Sequence, residues 1–174
     1  RLSNIKNVSV SHCPISNLKL GCGVAKISDM LKKNINITLG TDGQGSGCNF
    51  DLFETMKFTA LLQKGMKEEP LELPAYEVLK MATINGAKAL NLDNEIGSIE
   101  EGKLADLIIL DLDTVITQPI NDLVSDIVYN VKGINVDTTI INGKILMENK
   151  NLKINTDDQY IYNKCSEIID RISN

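Results

Sequence analysis

Between residues 36 and 43 the chain reads Asn36-Ile37-Thr38-Leu39-Gly40-Thr41-Asp42-Gly43. An apolar strand runs straight into a carboxylate, and glycines flank the turn. In parallel α/β folds the carboxyl ends of strands carry the chemistry. An Asp at that point is aimed by rigid backbone and can ligate a metal or take a proton. A second segment of this kind lies upstream, Val8-Ser9-Val10-Ser11-His12-Cys13-Pro14. His12 is the only histidine in the chain, so these residues cannot complete a histidine-rich metal site.

The pattern around the two segments predicts a βαβ unit. Val8–Ser11 reads as a strand stopped by Pro14, with turn and capping chemistry at Ser16-Asn17. Ile27–Lys33 reads as a short helix and Ile35–Leu39 as the next strand, which implies a parallel pair. Gly43-Gln44-Gly45-Ser46-Gly47 reads as a glycine-rich loop. It lacks the Lys-Ser/Thr ending of a phosphate-binding P-loop. Asp51 is the expected N-cap of an amphipathic helix over 52–64, with Phe53, Met56, Ala60 and Leu61 inward, Gln63 on the surface and Gly65 closing it. Pro74 starts a second helix that carries its apolar pattern to Leu90; Asn85-Gly86 interrupts it as a kink or a second start. From about residue 95 antiparallel β signals take over. Ala105–Leu110 is a strand, 125–130 reads as helix or turn, and Val136–Ile141 pairs with Lys144–Met147 through Asn142-Gly143. Ile161, Cys165, Ile168, Ile169 and Ile172 mark a terminal amphipathic helix over 157–172.

The chain has 174 residues and a formal net charge of -5. Net acidity without a basic stripe argues against nucleic acid as a partner. The absence of tryptophan argues against a stacking platform for single strands. No apolar run is long enough to span a bilayer, and no basic segment followed by an apolar core opens the sequence. The expected setting is cytoplasmic, without membrane contact. Cys13, Cys22, Cys48 and Cys165 read as reduced thiols, because a cluster of His12, Cys13, Cys22 and Cys48 lacks the usual ligand spacing. Arg1 in place of Met fits a processed product, an expression product or a fragment.

Five short motifs occur in order: His12-Cys13-Pro14-Ile15-Ser16-Asn17-Leu18-Lys19-Leu20, Gly40-Thr41-Asp42-Gly43, Met81-Ala82-Thr83-Ile84-Asn85-Gly86-Ala87, the run from Gly97 to Leu107, and Ile141-Asn142-Gly143-Lys144. Together they resemble the carboxyl-terminal part of the metal-dependent amidohydrolase superfamily, in the branch of the 5-methylthioadenosine/S-adenosylhomocysteine deaminases and the triazine chlorohydrolases. The resemblance runs from about Val8 to Leu152. It implies an α/β fold: the last βα units of a TIM-type (β/α)8 barrel over 1–95, the carboxyl-terminal share of a small β-sandwich over 96–155, and a terminal helix over 156–174. It also implies a divalent metal, usually zinc, with Asp42 as the one ligand this chain supplies and as the proton acceptor beside the attacking water. The histidine ligands belong to earlier strands absent here.

The implied substrate is a purine nucleoside of the adenosine type or a related heterocycle. Ser46, in the loop after Asp42, and His12 and Asn17, on the preceding strand and loop, are the further candidates for lining its pocket. Each also has a plain reading: Asp42 as a turn cap, Ser46 as a loop hydroxyl, His12 as a hydrogen-bonded residue behind the pocket, Asn17 as a backbone cap. The chain alone is expected to be inactive. With barrel edges exposed, it is expected to self-associate, swap elements or pack against the missing part of its own protein. Chlorohydrolase or guanine deaminase chemistry is the runner-up, and the rival class is a non-catalytic β-rich binding or assembly module.

Overall fold

The computed structural model describes residues 8–47, 49–154 and 157–173. The polar segment ahead of the first strand and Cys48 lie outside the described residues. β1 (Ser9–His12) and β2 (Asn36–Leu39) pair in parallel, with Ser9 opposite Asn36 and His12 opposite Leu39. The crossover carries α1 (Pro14–Lys19) and α2 (Ile27–Leu31). α1 replaces the turn expected at Ser16-Asn17: Pro14 ends the strand and also starts the helix, since its fixed φ and missing N–H suit the first helical turn. The glycine-rich loop is likewise wound into a short helix, α3 (Gln44–Gly47).

α4 (Leu52–Lys67) follows. The Asp51 side chain accepts hydrogen bonds from the Phe53 and Glu54 amides at 2.8 and 3.3 Å, so the expected cap is present. Its buried line is Thr55, Met56, Thr59, Ala60 and Gln63, an i, i+4 repeat. Two expectations change here. Gln63 is buried, and Leu61 is the exposed residue. The Gln63 amide is satisfied in place: Oε1 accepts from the Ser28 backbone at 3.3 Å, and Nε2 donates to the Ala25 carbonyl at 2.9 Å, pinning α4 to the start of α2. Nor does Gly65 close the helix. It runs two residues further and ends on Glu68 in the left-handed region, whose N–H reaches the Lys64 carbonyl. The Lys64 ammonium, bonded to the Pro70 and Glu72 carbonyls, holds the following turn.

α5 (Ala75–Ala82) and α6 (Ile84–Ala89) meet at Thr83, not at Asn85-Gly86. Thr83 (φ −127°, ψ −102°) ends one helix and opens the other, its hydroxyl donating to the Leu79 carbonyl at 2.8 Å. Asn85 and Gly86 sit inside α6 because they dock it on β2. Asn85 Nδ2 donates to the Ile37 carbonyl and Asn36 Nδ2 to the Asn85 carbonyl, both at 3.0 Å. A Cβ on Gly86 would meet the Thr38 hydroxyl at 3.4 Å, an ordinary contact distance.

One apolar core joins Ile27, Ile35, Ile37, Leu39, Met56, Ala60, Leu73, Val78, Met81 and Val128. Val128 arrives from α7 (Leu123–Tyr129), a helix capped by Asp122 that packs on α4 and α5. The chain thus crosses the boundary expected near residue 95 and returns to the first core.

The remaining residues build an antiparallel sheet in the order β3 (Leu107–Leu110), β4 (Val136–Ile141), β5 (Lys144–Glu148), β6 (Asn151–Leu152). Asn142 and Gly143 both have positive φ, as a two-residue hairpin turn demands. Asp106 accepts the Asn142 N–H at 2.7 Å, and the Ala105 carbonyl accepts that of Gly143 at 3.1 Å. The motif from Gly97 to Leu107 is scaffolding: Lys103 Nζ gathers the Asp93 carbonyl and the Ser98 hydroxyl, each at 2.6 Å. Ile108, Ile109, Ile141 and Ile145 leave apolar side chains exposed. α8 (Asp158–Ser173) buries none of its residues. Among the described residues no helix is long and apolar enough to cross a membrane.

Candidate functional site

Asp42 stands three residues beyond the end of β2, exposed, with φ at 61°. Asp tolerates the left-handed region better than most residues because its short side chain bonds locally. Here Oδ1 accepts the N–H of Gly43 at 2.7 Å, and Oδ2 accepts the hydroxyl of Ser16 at 2.7 Å. The Ser46 hydroxyl lies beside the same carboxylate, although its single hydrogen is directed to the Gly43 carbonyl at 3.2 Å. The Ser16 hydroxyl, then the Gly43 amide, hold the Asp42 carboxyl below the usual carboxylate range. It is therefore an anion across the neutral range.

Two glycines shape the turn. A Cβ on Gly47 would lie 2.0 Å from the Thr41 carbonyl oxygen, so only glycine lets α3 fold back onto the strand end. A Cβ on Gly40 would lie 2.7 Å from the Ser11 hydroxyl, so β1 and β2 also close together there. Lys19 Nζ donates to the Gly45 carbonyl at 2.9 Å and ties α1 to the Asp42 loop a second time.

The other candidates fall at different places. Ser46 is half-buried next to Asp42. Asn17 is half-buried on α1; its carbonyl accepts the Cys22 N–H at 2.8 Å, and its N–H bonds Cys13. His12 is 3 % exposed and sits opposite Leu39 in the register, with its Nε2 lacking a hydrogen-bond partner among the described residues. Burial lowers its pKa from the usual 6.5 to about 4, so the imidazole is neutral. No hydrogen bond among the described residues joins His12 to Asp42. Ser16 was missed as a site residue. Its only trace in the sequence is its place in the Cys13-Pro14-Ile15-Ser16 run, because the contact to Asp42 spans 26 residues. A cavity of about 440 Å³ lies elsewhere, at the amino-terminal ends of the two strands, between Ser9, Asn36, Lys88 and Asp93.

Among the described residues no three His, Cys, Asp or Glu side chains come together as a metal site. Cys13, Cys22 and Cys165 are free thiols. What the chain offers a cation is a single ionised, oriented carboxylate. A carboxylate has about four lone-pair positions, and the bonds from Ser16 and Gly43 fill two of them. Asp42 thus fits one ligand position, not a complete centre.

The sequence pattern of the amidohydrolase family matches residues 2–146. A 5-methylthioadenosine/S-adenosylhomocysteine deaminase of Acetivibrio thermocellus is 48% identical over 167 residues, covering 96% of this chain and 38% of its own length. A 5'-deoxyadenosine deaminase of Methanosarcina acetivorans is 47% identical over 156 residues, 90% of this chain and 36% of its own. Among solved structures, an adenosine deaminase from Xanthomonas campestris with bound zinc superposes with a TM-score of 0.91 at 36% identity, over 95% of this chain and 38% of that one. The chain spans somewhat over a third of the length of the curated relatives it matches. It belongs to the amidohydrolase family.

Proposed function

We propose that this chain supplies the carboxyl-terminal part of a deaminase acting on adenosine-type nucleosides. β1 and β2 act as the last two strands of a (β/α)8 barrel, and β3–β6 as a share of the accompanying sandwich. The observation that carries the reading is Asp42: an ionised carboxylate just beyond a parallel strand, held from two sides, in a chain alike over nearly its whole length to named deaminases.

Asp42 would hold one position of a divalent metal, zinc by analogy with the Xanthomonas campestris structure, and the other ligands would come from outside this chain. Such an ion acts as a Lewis acid that brings the pKa of a water to about 7. The chain's own contribution is orientation and proton handling. The carboxylate, kept anionic by Ser16 and Gly43, accepts a proton and passes it toward the leaving amine. Ser46, beside the carboxylate on α3, and Asn17, next to Ser16 on α1, are the side chains that would offer hydrogen bonds to a heterocycle. His12 is neutral and buried at the carboxyl-terminal end of β1.

The test is ammonia release by the zinc-loaded protein that carries this chain. Substrates are 5-methylthioadenosine, S-adenosylhomocysteine, 5'-deoxyadenosine, guanine and a chlorotriazine. Turnover of the adenosine-type compounds above the other two supports the reading. Chloride release from the triazine, or ammonia from guanine alone, moves the chain to another branch. No turnover of any substrate by metal-replete protein removes the enzyme reading in favour of a binding module.

A further inference from the structure

Asp42 projects from a loop, and nothing in β2 itself fixes its side chain. The fixing comes from α1. Ser16 is 3 % exposed, and its hydroxyl crosses 26 residues of sequence to reach Asp42 Oδ2 at 2.7 Å. Lys19, one turn further along the same helix, reaches the Gly45 carbonyl. α1 therefore grips the Asp42 loop at two points, one of them on the reactive carboxylate. Gly43 holds Oδ1 through backbone that turns with the loop; Ser16 holds Oδ2 from a separate element.

We propose that Ser16 is a positioning residue for Asp42, its hydroxyl setting the rotamer in which the carboxylate meets a metal and a substrate proton. This rests on the reading of Asp42 above. A hydroxyl in this role does not touch substrate. It acts by restricting the ligand, and outer partners of metal ligands typically contribute 10–100-fold in affinity. The neighbouring Pro14 strengthens the device, because it fixes the first turn of α1 and hence the direction of Ser16.

The experiment uses the zinc-loaded protein carrying this chain, with Ser16→Ala, Ser16→Cys and Asp42→Ala compared. Chelator competition gives the zinc dissociation constant, and steady-state kinetics on 5-methylthioadenosine give kcat and KM. Ser16→Ala is expected to weaken zinc binding about 10–100-fold and to lower kcat with it, while KM stays within about threefold. Ser16→Cys keeps the branching but places a bulkier atom and a weaker donor there, so it should fall between wild type and Ser16→Ala. It carries the test alone if the alanine variant does not fold. Zinc affinity and kcat within about twofold of wild type in both serine variants, with Asp42→Ala losing both, overturn the proposal and leave Asp42 standing. If Asp42→Ala also keeps zinc and turnover, the underlying reading falls instead.

Discussion

Asp51 joins the two halves of the molecule through one side chain. Its Oδ1 caps α4 by accepting from Phe53 and Glu54, and its Oδ2 accepts the Gly133 N–H at 2.9 Å, 82 residues away. Asp51→Ala removes all of this. Losing the cap costs about 1 kcal/mol, the charge at the helix amino terminus about 0.5 kcal/mol, and the bond to Gly133 about 1 kcal/mol. The expected loss is thus about 2–3 kcal/mol. Asp51→Asn keeps an oxygen for the cap but turns an N–H₂ toward the Gly133 N–H, so it should lose about 1–2 kcal/mol. Urea unfolding followed by circular dichroism reads the difference. With a slope of roughly 2 kcal/mol per molar, the alanine midpoint should drop by about 1–1.5 M and the asparagine midpoint by about half as much. An alanine loss below about 0.5 kcal/mol, or an asparagine variant as weak as the alanine one, would refute the two-ended role.

Three further outcomes are expected. The unfolded chain takes up a proton at His12 near pH 6.5, whereas burial holds the folded imidazole at about 4. Stability should therefore fall by about 3 kcal/mol as pH drops through that window and be fully present above it; denaturation midpoints against pH, flattened in His12→Gln, check this. Gly47→Ala would drive a methyl into the Thr41 carbonyl; the loop must shift, so zinc affinity in the longer protein should fall even where its melting temperature holds. Met81→Ala opens a cavity at a fully buried core position and should cost about 2–5 kcal/mol in urea.

The strand–Asp42 segment, the Asp51 cap, the Pro74 start and the Asn142-Gly143 hairpin were legible because each depends on residues adjacent in sequence. Elements fixed by distant contacts were not. Gln63 reads as a surface residue until the Ser28 and Ala25 backbone appears beside it. Asn85-Gly86 reads as a breaker because its partners are on β2, nearly fifty residues earlier. Gly65 reads as a stop, yet the Lys64 carbonyl and ammonium carry the helix to Glu68. At the candidate site, Asp42 stands out in the sequence by its position after a strand, whereas Ser16, whose hydroxyl reaches it, does not. Short polar side chains give no periodic signal, and only the folded loop reveals which of several serines reaches the carboxylate.

Metal analysis of purified protein tests the role of Asp42 most directly. Zinc per chain is measured by atomic emission in three samples: the 174-residue chain, the longer protein that carries it, and that protein with Asp42→Asn. Retained zinc with ammonia release in the longer protein, both lost in Asp42→Asn, and neither in the 174-residue chain is the expected pattern. Full zinc occupancy and undiminished deamination in Asp42→Asn would contradict it.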